Sequence, residues 1–198
     1  MGAVLGEVEK DMMYYRASGG GLTLSGGEPT MQERFCLSLL RAAQRRGIHT
    51  CIETCGISSR ATYAQLQPFT NLFLFDYKVT GENRHLALTG ASSESILENL
   101  HWLHDQGAQI VLRCPIIPQV NDDSDHLGAI AGLKRDLPRL LDVELFPYHG
   151  AGASKYERIG RVRPTLPAEL PGGQMEVSWW AQLRKPEKRD EERSAGPA

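Results

Sequence analysis

The sequence has little net charge, no long apolar run and few cysteines, and each shortage excludes something. Its 24 acidic and 22 basic residues leave a net charge of −2, so no broad electrostatic case exists for nucleic acid or an anionic membrane surface as partner. No apolar stretch approaches the roughly 20 residues of a membrane span. The opening stretch, MGAVLGEVEKDMMYY, has neither the basic region nor the apolar core of a secretory signal, and a cytoplasmic location is expected. Four cysteines in such a chain read as free thiols or metal ligands rather than disulfides. What remains is ordinary for a globular protein: 198 residues, 41% hydrophobic and 23% charged, enough for one domain with a core, or one domain plus a tail.

Strand-like and helix-like runs alternate along the chain. GLTLSG (21–26), IHTCIET (48–54), NLFLFDYK (71–78), AQIVLRCPIIP (108–118) and LDVELFPYH (141–149) read as strands. The third is almost wholly apolar until Asp76, as in a strand buried on both faces. Between them, Met31, Phe35, Leu39, Leu40 and Ala43 recur at helical spacing and stop at Gly47. Ser93 can cap a second helix, striped by Ile96, Leu97, Leu100 and Leu103, and residues 122–137 form a third. This alternation predicts an α/β fold with a parallel sheet and crossover helices. Ligands of such sheets sit at the C-terminal strand ends. SGGE (25–28), ETCG (53–56), DYK (76–78), Arg113 and PYH (147–149) all fall there and would form one rim. From Arg163 onward periodicity lapses, and the charge-dense end reads as disordered.

Each rim group has a functional and a structural reading. Gly26 and Gly27 let backbone N–H groups approach a ligand, and Glu28 could receive its ammonium; equally, SGGEP is a turn with Glu28 in the favourable first turn of a helix. Asp76 and Lys78 point to the same side of an extended chain and either hold a ligand or pair with each other. His149 could bind a ligand or serve the fold. Arg113 in an apolar strand needs an anionic partner. Cys51, Cys55 and Ser58 mimic the C-x3-C-x2-C spacing of a three-thiolate [4Fe-4S] site, but Cys51 falls inside a strand, and a serine is a poor soft ligand.

Taken together, YYRASGGGLTLSGGEPTMQ (14–32), GIHTCIETCG (47–56), LFLFDYK (72–78), LRCPIIP (112–118) and LFPYHGAGASKYERIG (145–160) resemble the activating enzymes of glycyl radical enzymes, in the radical S-adenosylmethionine (radical SAM) superfamily. The resemblance implies a partial parallel (β/α) barrel over residues 1–161, followed by an irregular tail over 162–198. It implies S-adenosylmethionine and a [4Fe-4S] cluster as cofactors, and reductive cleavage of the former to place a radical on a glycine of a partner such as pyruvate formate-lyase. A flavodoxin-type electron donor is implied too. Cofactor contacts carry over to Gly26, Gly27, Glu28, Thr54, Asp76, Tyr77, Lys78, Arg113 and His149, and a monovalent cation to Glu53, Thr54 and Asp76. The family's cluster loop follows a first strand that lies upstream of the segments matched here. The chain is therefore expected to lack both, to expose an unpaired strand near Leu22–Leu24, and to be inactive alone. Two other readings are a non-catalytic module retaining part of the S-adenosylmethionine site, and an α/β enzyme for another small ligand. Trp179 and Trp180, in a polar setting, suggest no packing role.

Overall fold

The computed structural model describes residues 2–147, 160 and 178–181. Two short helices, α1 (Gly2–Val8) and α2 (Met12–Ser18), lead into five parallel strands: β1 (Gly21–Leu24), β2 (His49–Thr54), β3 (Leu72–Asp76), β4 (Ile110–Ile116) and β5 (Asp142–Pro147). The strand order is 1-2-3-4-5, so each neighbour is reached by a crossover. These carry α3 (Glu33–Gln44), then α4 (Arg60–Leu66), then α5 (Glu82–Thr89) with α6 (Ser93–Asp105), and finally α7 (Ser124–Asp136). The architecture is the expected partial parallel β/α barrel.

All five strands lie within the segments the sequence assigns to them. Helices α3, α6 and α7 were likewise legible. The sequence reading missed α1, α2, α4 and α5, which have seven or eight residues each and offer too little chain for a 3.6-residue period to show. The cap of α6 moves by one residue. Ser92 accepts from the Glu94 amide, while the Ser93 amide and hydroxyl both donate to Glu82 Oε2, at 2.8 and 2.7 Å.

Residues paired across a parallel ladder share a face, so the register sorts the sheet into two sides. Ile52 pairs with Phe73, Phe73 with Ile110, Phe75 with Leu112, and Leu112 with Val143. These are buried together with Leu39 and Leu40 of α3, Tyr63 and Leu66 of α4, Leu100 and Leu103 of α6 and Ile130 of α7. Burying each large side chain contributes about 1.5–3 kcal/mol. The opposite face bears Glu53, Leu74, Asp76, Val111 and Arg113, none of them fully buried, and is the inner surface of the partial barrel. Among the described residues strand β1 pairs with β2 alone. Trp179 departs from expectation: it is 2% exposed and belongs to the apolar core, a burial that its polar sequence neighbours conceal.

One buried polar chain joins β3 to α7. The Tyr77 and Thr80 hydroxyls lie 2.8 Å apart, Thr80 Oγ1 lies 2.8 Å from His126 Nδ1, and the Tyr77 and His126 rings stack at 5.4 Å. His126 Nε2 is buried without a hydrogen-bond partner. Burial depresses the His126 pKa from 6.5 to about 4, with Asp123 opposing and Arg84 reinforcing. The neutral ring is therefore the folded form. Its contribution is complete above pH 6.5 and is lost as the pH falls toward 4, a change of about 3 kcal/mol. Urea melts between pH 7 and 4 should show this loss, and His126→Phe should flatten the slope across that window. Leu100→Ala, which opens a cavity under the sheet, should lower stability by about 2–5 kcal/mol at neutral pH in the same assay.

Candidate functional site

A row of charges crosses the open face at the C-terminal ends of the strands. Its centre is Arg113, whose Nη1 lies 2.7 Å from Glu53 Oε1 and 3.9 Å from Asp76 Oδ1, while Nε lies 3.9 Å from Glu144 Oε2. The guanidinium carbon sits 5.1 Å over the Phe146 ring. Ser25 donates to Glu53 Oε2 at 2.9 Å, and Lys78 Nζ stands 3.6 Å from Asp76 Oδ2. Three carboxylates, Glu53, Asp76 and Glu144, face two cations, Arg113 and Lys78, which leaves one negative charge (−3 + 2). Asp76 is the most enclosed of the three. Burial raises its pKa against the pull of Lys78 and Arg113, and its Oδ1 has no hydrogen-bond donor. For Arg113, burial works against the charge, but the bond to Glu53 and the field of Asp76 more than offset it. The anionic partner that Arg113 demanded from sequence is thus Glu53, with Asp76 beside it.

Beside this row the β1–α3 connection turns at Gly26 and Gly27. Gly26 has φ +129°, a conformation that glycine alone adopts freely. A Cβ at either position would meet nothing within 4 Å, so the backbone borders open space. Glu28, by contrast, is committed inside the protein. Its Oε1 accepts from the Thr30 hydroxyl (2.6 Å), the Thr30 amide (3.2 Å) and the Thr54 hydroxyl (2.9 Å), and its Oε2 from the Cys55 amide (2.8 Å). Burial alone would raise the Glu28 pKa, but the bonds from Thr30 and Cys55 outweigh it and hold the carboxyl below the usual range. Of the two sequence readings of Glu28, the structural one describes these contacts.

The pleat separates the remaining candidates. Thr54 follows Glu53 and so faces the helices, its hydroxyl 2.9 Å from the Tyr63 hydroxyl and accepting from the Gly56 amide. Tyr77 lies between Asp76 and Lys78 and points into the Thr80–His126 chain. Neither side chain joins the rim. The cation set expected at Glu53, Thr54 and Asp76 is accordingly divided, with the Thr54 hydroxyl on the other side of the sheet. His149 lies outside the described residues. Sequence reasoning placed Ser25 on the rim only as part of SGGE and passed over Glu144 and Asn121. The strict alternation of β4 and β5 could have found Glu144, opposite Arg113 in the ladder.

The thiols stand singly. Cys51 is buried within β2 and Cys55 lies just past its end, while Ser58 hydrogen-bonds through its hydroxyl to Thr30 and through its carbonyl to Asn99. Cys36 donates to the Pro29 carbonyl, and Cys114 is fully enclosed. Burial raises the pKa of Cys36 and Cys51 and pushes Cys55 up to about 11. Among the described residues no three His, Cys, Asp or Glu side chains gather as a metal set. The cysteines present do not fit an iron–sulfur cluster, whereas the glycine turn and the ionic row fit a small charged ligand. Glu28→Ala strands the Thr30 and Cys55 amides and should cost about 1–3 kcal/mol in urea unfolding. Because its pKa is depressed, the charge-dependent part of the Glu28 contribution is present above pH 4.5 and is lost as the pH falls through its folded value, so the gap between the wild-type and variant curves should narrow in acid.

Comparison with known proteins places this arrangement. A sequence profile described as the radical SAM superfamily matches residues 4–128. The isethionate sulfite-lyase activating enzyme of Nitratidesulfovibrio vulgaris is 44% identical over 172 residues, covering 84% of this chain and 55% of the relative. The pyruvate formate-lyase-activating enzyme of Listeria monocytogenes is 32% identical over 174 residues, covering 85% of this chain and 70% of the relative. A domain of pyruvate-formate lyase-activating enzyme from Bacteroides vulgatus superposes with a TM-score of 0.69 at 24% identity, over 83% of this chain and 92% of that one, and so supports the fold. The chain spans about half the length of several curated relatives it matches. The cofactors of this family are S-adenosylmethionine and a [4Fe-4S] cluster. The chain belongs to the radical SAM superfamily, among the activating enzymes of glycyl radical enzymes.

Proposed function

We propose that this chain, through residues 1–161, is the S-adenosylmethionine-binding body of a cytoplasmic activase. Its partner is a glycyl radical enzyme of the pyruvate formate-lyase kind, with a flavodoxin-type protein as electron donor. The observation that carries the reading is the ionic row of Glu53, Arg113, Asp76 and Lys78 beside the open Gly26–Gly27 turn. In this reading the amides of that turn meet the amino-acid end of the ligand. Lys78 takes its carboxylate, Asp76 a ribose hydroxyl, and His149 the adenosine side. The single negative charge of the row favours a sulfonium cation over a neutral analogue. Arg113 does not touch the ligand; it holds Glu53 and Asp76 in place. Glu28, Thr54 and Tyr77 act at one remove, by fixing the loops that bear these groups.

Radical formation needs an iron–sulfur cluster. The described thiols offer no ligand set for one, so in this reading the chain by itself binds and orients S-adenosylmethionine without turnover. The same thiols favour the second reading, a non-catalytic module that retains part of the site.

Calorimetric titration should detect S-adenosylmethionine binding that weakens about tenfold in Asp76→Asn and in Lys78→Met, one charge-assisted hydrogen bond apiece. Equal affinity in all three proteins overturns the assignment of the rim. Anaerobic iron–sulfide reconstitution should leave no stable iron. About four iron atoms per chain, lost in both Cys51→Ala and Cys55→Ala and accompanied by 5′-deoxyadenosine on reduction with S-adenosylmethionine, would instead make the chain an enzyme as it stands.

A further inference from the structure

The loop between β4 and α7 carries a buried carboxamide, Asn121, only 1% exposed. Its Nδ2 donates to the Lys78 carbonyl and to the Pro115 carbonyl, each at 2.7 Å, and its Oδ1 accepts from the Ile117 amide at 2.5 Å. A carboxamide nitrogen has two hydrogens. One is spent on the end of β3 and the other on the end of β4. The β3–β4 ladder stops at the pair Asp76–Arg113, and the Tyr77 amide still reaches the Arg113 carbonyl at 2.8 Å. Beyond that point Asn121 does for Lys78 what a strand would otherwise do.

The loop is built to hold this side chain still. Gln119 takes φ +62°, the one described non-glycine residue in the left-handed region, and its amide donates to Asp122 Oδ1 at 2.8 Å. The Val120 amide donates to the Ile117 carbonyl at 3.0 Å. From α5, Arg84 bonds the Val120 carbonyl and Asp123 Oδ2. A carboxamide clamped on both sides makes a fixed donor, and a buried carbonyl deprived of its donor must move or admit water.

We propose that Asn121 is a positioning residue of the rim. It fixes the backbone at Lys78, so that the ammonium stands beside Asp76, and through Lys78 it sets the affinity of the rim for a carboxylate-bearing ligand. The proposal rests on the reading of the rim as an S-adenosylmethionine site. Lys78 carries its charge on a flexible four-carbon stem, so the placement of its backbone sets the region the ammonium can reach. A residue serving only to close its own loop would need the Ile117 and Pro115 bonds; the bond to Lys78 reaches another strand.

The test uses the whole chain, with S-adenosylmethionine as the titrated probe and amide hydrogen exchange as a second readout that needs no ligand. Asn121→Ala removes the donor; Asn121→Asp keeps the shape and cannot donate. Asn71→Ala is the control. It removes a carboxamide oxygen that accepts from the Thr50 amide and hydroxyl, each at 2.9 Å, at the opposite end of the sheet. Both Asn121 variants should weaken binding about tenfold, as Lys78→Met does, and the double variant Asn121→Ala with Lys78→Met should be no weaker than either alone. Exchange at Tyr77, Lys78 and Val79 should quicken in both Asn121 variants. The control should lose thermal stability yet keep its affinity and its exchange at those amides. Losses that multiply in the double variant, or unchanged exchange, overturn the proposal. Absence of binding by the wild-type chain overturns the reading of the rim instead, and exchange alone then decides the role of Asn121.

Discussion

Every strand of the sheet turns alternate side chains to opposite faces, and this two-residue period governs the rest of the molecule. Because all five strands are parallel and in sequential order, one register fixes which residues meet the helices and which face the open side. Phe73 and Phe75 enter the core because Leu74 and Asp76 do not. A slip of one residue in β3 would bury Asp76 under α6 and expose two phenylalanines, at a cost in desolvation and lost burial that no local interaction could offset. The apolar face thereby enforces the placement of the charged one.

Within that frame, charge is tolerated on the open face because it is shared. Arg113 is half-buried, with Glu53, Asp76 and Glu144 around it and Phe146 beneath. Such a group is costly when unpaired and gives little net stability when paired, so the row is not explained as a device for folding. Its excess negative charge and the undonated, buried Asp76 Oδ1 are what the proposed ligand reading rests on. Glu28 shows the opposite economy. Both its oxygens are consumed by Thr30, Thr54 and Cys55, which ties the glycine turn to the end of β2 and leaves the turn itself open.

The legibility of the site in the sequence follows the range of the interactions involved. Asp76 and Lys78 could be placed on one side because alternation is local. Arg113 could be marked as needing an anion because a guanidinium in an apolar strand is anomalous within a few residues. Thr54 and Tyr77 were drawn to the rim by their matching motifs, although the same alternation sends them to the helices. Asn121 left no local signal, since its partners Lys78 and Pro115 are brought together only by the pairing of β3 with β4. The short helices α4 and α5 were hidden for a related reason: their existence depends on packing more than on their own periodicity.

By itself, then, the sequence determined the alternation of strands and helices, the parallel sheet, the strand ends where polar groups collect, and the family. The first three follow from patterns within ten or twenty residues, where side-chain period and turn chemistry act directly on the backbone, and the family from the resemblance of its motifs. Only the tertiary structure decided which carboxylate Arg113 meets, that Glu28 binds the protein's own amides, that Trp179 is buried, and that Asn121 bridges two strand ends. Those outcomes depend on distances between residues far apart in the chain, and register and packing set such distances only once the sheet has formed.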